Sequence, residues 1–122
     1  MHKESNFFLN RIKAVKYAAK GFYYLITSEY SVITQVIIAI VMTILGFVMQ
    51  LTATEWLFQI LAIAIVLIAE SLNTAVEKIA DFIHPEFNKQ IGHIKDIAAG
   101  AAFFAAIFAV IIGLIIYIPK LI

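Results

Sequence analysis

No cysteine occurs in the 122 residues, which excludes a disulfide framework, a thiolate metal site and a cysteine nucleophile. Proline appears only as Pro85 and Pro119, and glycine only five times, so little punctuates the long apolar runs. Charge is equally sparse. Asp, Glu, Lys and Arg make up 14% of the chain, against about 25% in a typical soluble domain, while 63% is hydrophobic. The net charge of +1 gives no case for nucleic-acid binding. There is no glycine-rich phosphate loop and no soluble protein-kinase signature, which excludes the familiar soluble nucleotide-binding architectures. What these absences leave is an all-α integral membrane protein of a single domain.

In the first stretch, Phe8, Ile12, Val15, Ala19, Phe22 and Ile26 recur at alternating four- and three-residue steps, while Arg11, Lys13, Lys16 and Lys20 take other faces. That spacing predicts a basic amphipathic helix over about 5–28, lying on an anionic membrane surface and bending or ending near Gly21 or Thr27 and Ser28. Its aromatic and basic interleaving, with no compact apolar core before a small-residue cleavage site, is not that of a cleavable signal peptide. Glu29 stands alone before hydrophobic sequence.

Three spans follow. Residues 32–51 are long enough to cross a hydrocarbon core of roughly 30 Å. A short turn, Thr52 to Glu55, offers Thr52 or Thr54 as the N-cap of a second span over 56–82, which opens on the interfacial Trp56. Pro85 interrupts helical geometry at His84, and a third span covers 91–118, closing at Pro119 and Lys120. Its run of Ala98, Ala99, Gly100, Ala101 and Ala102 permits close helix approach. Basic residues precede the first span and recur at Lys78, Lys89 and Lys95, whereas the 52–55 turn has none. The expected orientation therefore puts the N-terminus and the 78–96 loop in the cytoplasm and the C-terminus outside.

The second span ends in the stretch ESLNTAVEKIAD, residues 70–81. At about 100° per residue, Glu70, Asn73, Glu77 and Asp81 fall within a sector roughly 80° wide. Ionisable groups near the bilayer centre cost roughly 2.5–3.5 kcal/mol each on insertion scales, so this stripe reads as a functional site. Counted from Trp56, Glu70 lies about two-thirds of the way across, while Glu77 and Asp81 reach the far interface. A carboxylate held deep has its pKa raised and suits proton abstraction from an alcohol, which makes Glu70 a general-base candidate. Shallower carboxylates such as Glu77 and Glu29 suit magnesium, which takes one or two of them beside phosphate oxygens and water. Lys95 offers an ammonium to phosphate, and Asn73 an amide that can orient Glu70 or a phosphate. Structural alternatives stand beside these: Glu70 paired with Lys95 or Asn73, and Asp81 with Lys78 or Asp96 with nearby lysines as interfacial ion pairs. His84 and His93 lack ligand spacing.

The same stretch resembles the signature of the prokaryotic diacylglycerol kinase family: Glu, two residues, Asn, Thr or Ser, Ala, an aliphatic, Glu, then Asp four residues later. Lys20-Gly21, the isolated Glu29, the three spans and the segment KDIAAGA from Lys95 agree, so the likeness covers nearly the whole chain. The Thr54-Glu55-Trp56 turn, the Pro85-Glu86-Phe87 loop and the ending GLIIYIPKL are most similar to the Gram-positive undecaprenol kinase branch. The resemblance implies a homotrimeric bundle in the bacterial inner membrane with sites shared between subunits. It implies transfer of the ATP γ-phosphate to undecaprenol at the cytoplasmic face, with diacylglycerol as the alternative acceptor and magnesium as cofactor. By position, Glu70 is the base and Glu29 and Glu77 are the metal ligands; Tyr17, Lys20, Asn73, Asp81, Lys95 and Asp96 serve the nucleotide. The sequence departs from the family at Asn10, beside Arg11, and at Ile33, where a basic residue is expected. Two other readings are a small proton-coupled transporter and a noncatalytic assembly subunit. The first leaves Glu29, Glu77 and Lys95 unexplained, and the second makes the stripe mere helix glue.

Overall fold

A computed structural model describes residues 3–122, with side-chain surroundings from Asn6 onward. Four helices follow one another, α1 Lys3–Ser28, α2 Tyr30–Val48, α3 Ala53–Ile83 and α4 Lys89–Leu121, and no strand occurs among the described residues. The last three are long and apolar enough to cross a membrane, with mean hydropathies of 2.4, 1.9 and 2.8 over an 18-residue stretch of each.

Local chemistry sets each boundary. α1 runs unbroken through Gly21 and ends where Thr27 folds its hydroxyl back onto the Tyr23 carbonyl, 2.6 Å away. Only Glu29 separates it from α2. Its backbone is extended, and its carbonyl accepts the first bond of the new helix, from the Ile33 N–H at 2.9 Å. α2 closes on Gln50, whose φ of 57° places it in the left-handed region. The Leu51 N–H then reaches the Gly46 carbonyl and the Gln50 N–H the Phe47 carbonyl, the paired bonds of a Schellman cap. Thr52 caps α3: its hydroxyl accepts from the Glu55 N–H at 3.2 Å while its own N–H donates to Glu55 Oε1 at 2.9 Å, a capping box that starts the helix three residues before Trp56. Asn88 does the same for α4, accepting from the Gln90 and Ile91 N–H groups, so α4 begins at Lys89 rather than Ile91. Pro119 does not stop α4, which runs to Leu121, because a proline in the last turn forfeits a single bond near an end that is already fraying.

α3 packs along α4, α2 leans on α3, and α1 meets chiefly α2. The tightest packing is at the end formed by the α2–α3 turn, where Leu51, Ile116 and Tyr117 are buried among Met42, Leu45, Met49, Trp56 and Ile112. There Gln59 links three helices, donating to the Met42 carbonyl of α2 at 2.9 Å and accepting from the Tyr117 hydroxyl of α4 at 2.5 Å. Lys120 pairs with Glu55 at 2.9 Å. Elsewhere the bundle is open. Its accessible surface is 9390 Å², against roughly 6,600 Å² for a compact soluble protein of this mass. The excess is apolar, with Phe58, Leu61, Ile65, Ile68 and Leu72 of α3 and Phe103, Phe104 and Phe108 of α4 all exposed, a surface suited to lipid or neighbouring helices.

Candidate active site

The second half of α3 carries the polar stripe. Helical phase alone aligns Glu70, Asn73, Glu77 and Asp81, and the surroundings of each then differ. Glu70 is half-buried, and its carboxylate makes no hydrogen bond or ion pair among the described residues, so neither Lys95 nor Asn73 is its partner. Around it, Thr74 turns its hydroxyl inward onto the Glu70 carbonyl at 3.0 Å and Ser71 onto the Leu67 carbonyl at 2.7 Å. Both hydroxyls are thereby consumed by the helix, leaving the carboxylate as the free polar group of that turn.

One turn on, the Asn73 side-chain oxygen is buried with no hydrogen-bond partner. Such an orphan acceptor is costly in an apolar place and points to a donor supplied from outside the chain. Asn73 borders a groove of about 360 Å³ lined by Ile65, Ile68, Leu72 and Val76 of α3 and by Ala98 and Ala101 of α4. The small side chains of α4 make that space. Glu77 follows, exposed. Over the seven residues from Glu70 to Glu77 the helix rises about 10 Å, so the stripe steps from a partly enclosed carboxylate to an open one.

Cross-helix pairing completes the site. Asp81 on α3 is ion-paired with Lys95 on α4 rather than with Lys78. Lys78 instead reaches Glu29 at 3.2 Å, and the Tyr24 hydroxyl donates to the same Glu29 oxygen at 2.7 Å. The Lys78 ammonium also lies 5.2 Å from the centroid of the Tyr24 ring, within cation–π range. The Tyr24 hydrogen bond first, and then Lys78, hold the Glu29 carboxyl below its ordinary value of 4.5. Glu29 is thus tied to α3 through Lys78, the residue that follows Glu77. Tyr17, Lys20 and Asp96 are exposed and make no side-chain bond among the described residues.

Among the described residues no three His, Cys, Asp or Glu side chains converge as a complete metal cage. Magnesium does not require one, since it is typically held by one or two carboxylates with phosphate oxygens and waters. The donors present fit that pattern: hard carboxylate oxygens on Glu29 and Glu77, and a cationic group already drawn to Glu29.

Residues 16–117 match the prokaryotic diacylglycerol kinase family. The chain belongs to that family. It is 34% identical over 114 residues to the undecaprenol kinase of Bacillus subtilis (strain 168), an alignment covering 93% of each chain. The protein is therefore an ATP-dependent lipid kinase. Two residues of the kinase that meet Glu29, Tyr24 and Lys78, are not singled out as site residues by the sequence pattern. Lys78 carries the only signal available beforehand, a cation placed immediately after Glu77 at the expected interface.

Proposed function

We propose that this kinase transfers the γ-phosphate of ATP to the hydroxyl of undecaprenol, giving undecaprenyl phosphate. The observation that carries the reading is the graded stripe of α3: a half-buried Glu70 with no partner among the described residues, Asn73 bordering an apolar groove one turn on, and an exposed Glu77 after it. Likeness to an undecaprenol kinase across nearly the full chain supports the choice of lipid. Glu70 takes the proton of the lipid hydroxyl as its oxygen attacks the γ-phosphorus and the bond to ADP breaks. Glu70 suits that role because its carboxylate has no hydrogen-bond or ion-pair partner among the described residues and is free to accept a proton. The Asn73 oxygen accepts a hydrogen bond from a donor brought by the substrates. Glu29 and Glu77 hold magnesium, which when bound neutralises phosphate charge. Asp81 fixes the Lys95 ammonium for the phosphates, and Asp96, Tyr17 and Lys20 complete the nucleotide side.

Assembly and placement belong to the same reading. A chain with this much exposed apolar surface shields its stripe only in company, and we infer a homotrimer in the bacterial inner membrane whose subunits share sites. One domain spans the chain. α1 lies on the cytoplasmic surface, its Arg11, Lys13 and Lys16 facing anionic headgroups. The site and the N-terminus are cytoplasmic and the C-terminus is outside.

Diacylglycerol is the second acceptor to consider, since the family takes its name from that lipid. Both lipids present a primary hydroxyl on an apolar body. The test is a parallel assay of the purified protein in mixed micelles with magnesium, radiolabelled ATP and either lipid. Faster labelling of undecaprenol is expected. Clear preference for diacylglycerol replaces the substrate, and labelling of neither ends the kinase reading.

A further inference from the structure

Lys78 is unused by the chemistry above, yet it occupies the most telling position in the site. Its ammonium is 3.2 Å from Glu29 Oε1 and rests over the Tyr24 ring, so two attractions from the α1–α2 junction hold a cation carried by α3. A lysine ammonium is a compact point charge with no demand for a planar or bidentate partner, which is how a small metal ion also meets a carboxylate. On one carboxylate the two cations repel each other, so they compete for Glu29. Magnesium approaches carboxylate oxygens at about 2.0–2.1 Å, which would set a double positive charge within roughly 5 Å of an ammonium on the same carboxylate, where the two repel.

We propose that Lys78 is a tethered stand-in cation, which neutralises Glu29 until a divalent metal displaces it. The inference rests on the preceding reading of Glu29 as a metal ligand and adds a competitor to it. Displacement is feasible because the Lys78 side chain is 56% exposed and that of Glu29 22%, and ion pairs open to water are weak. A doubly charged ion at shorter range replaces a single charge, so Glu29 is balanced before and after. The exchange also has a mechanical side. The Glu29–Lys78 pair and the Tyr24–Lys78 stacking tie the short α1–α2 junction to α3, and metal binding releases both. The Tyr24 hydroxyl, a neutral donor to Glu29, need not leave, since a carboxylate oxygen has more than one acceptor site.

Binding of Mn2+ to the full-length protein in detergent, followed by electron paramagnetic resonance without ATP or lipid, tests this apart from turnover. Lys78→Met should bind Mn2+ about two- to fivefold more tightly than wild type, the scale on which exposed pairs contribute. Lys78→Arg, which keeps the charge, should bind no more tightly than wild type. Glu29→Gln should weaken binding and abolish the difference between Lys and Met at position 78. In parallel, acetylation of Lys78 by a water-soluble reagent, read by mass spectrometry, should quicken when Mn2+ is added to wild type. Weaker binding with Glu29→Gln but no gain with Lys78→Met overturns the competition and leaves the metal reading intact. Mn2+ affinity unchanged by Glu29→Gln overturns the metal role of Glu29 and the competition with it.

Discussion

The two ends of the bundle are built on opposite plans. At the turn between α2 and α3 polar side chains are paired inside the chain: Thr52 with Glu55, Glu55 with Lys120, and Gln59 with both the Met42 carbonyl and Tyr117. At the other end Glu70 and Glu77 have no partner among the described residues, Asn73 holds an orphan oxygen, and the two ion pairs are open to water. Leu51, Gln59, Ile116 and Tyr117 are buried at the closed end, whereas the buried residues toward the open end, Val32, Thr74, Ala80 and Ala102, have smaller side chains. The open end leaves the hydrogen-bonding capacity of Glu70, Glu77 and the Asn73 oxygen unspent among the described residues. Damage to one end should therefore appear in turnover, and damage to the other in stability.

The largest separation is expected for Glu70→Gln. The amide is nearly isosteric and cannot take a proton, and loss of a general base typically costs about 10²–10⁴-fold. Phosphorylation of lipid should fall by at least about 100-fold while thermal unfolding in detergent is unchanged. A variant with wild-type turnover removes Glu70 from the chemistry, and a large fall in unfolding temperature makes it a structural residue instead.

Gly46→Ala should do the converse. A Cβ at Gly46 would lie 2.6 Å from Cη2 of Trp56 and 3.1 Å from a methyl of Leu51. The indole has little freedom to yield, being packed against Phe47 with ring centroids 4.9 Å apart. Overpacking of this kind costs about 1–3 kcal/mol. Measured stability should drop by that amount, with turnover per folded molecule near wild type. Equal loss of activity at temperatures where the variant is folded would mean that the two ends are mechanically coupled.

Much of this division is legible in the sequence, and the unread part has one cause. Hydrophobic length gives the three spans; the structure moves their ends by a few residues where Thr52 and Asn88 supply caps and where Pro119 falls too late to break α4. Helical phase gives the stripe, because that depends only on spacing within α3. Pairing between helices is another matter. Gln59 and Tyr117 are 58 residues apart, and nothing in either neighbourhood announces the contact. Likewise the spacing offers Lys78 to Asp81 and Lys95 to Glu70, whereas the packing of α3 on α4 gives Lys95 to Asp81 and the end of α1 brings Tyr24 and Glu29 to Lys78. The buried Gly46 is similarly silent, since its need arises from a ring ten residues on.

Gln59 tests whether the closed end is held by hydrogen bonds or merely filled. Interhelical hydrogen bonds in membrane proteins average about 0.6 kcal/mol and reach about 1.7. Gln59→Leu removes two and strands the buried Tyr117 hydroxyl, so a loss of about 1–2 kcal/mol is expected. Adding Tyr117→Phe removes the stranded group and should recover part of that loss. A double variant that is no more stable than the single one would show that the hydroxyl finds another partner.

The smallest expected effect is a gain. Gln50 adopts a φ of 57° at the position after the C-cap of α2, where its Cβ crowds the backbone and glycine is favoured. The paired bonds from Leu51 to Gly46 and from Gln50 to Phe47 fix that conformation, so the chain cannot relax it without opening the cap. Gln50→Gly removes the steric cost but loosens the unfolded chain, and the balance should favour the folded state by a few tenths of a kcal/mol up to about 1. Because the turn lies at the closed end, the gain should appear in thermal unfolding and leave lipid phosphorylation unaltered. A change in turnover without a change in stability would place this turn in the catalytic cycle and break the division between the two ends.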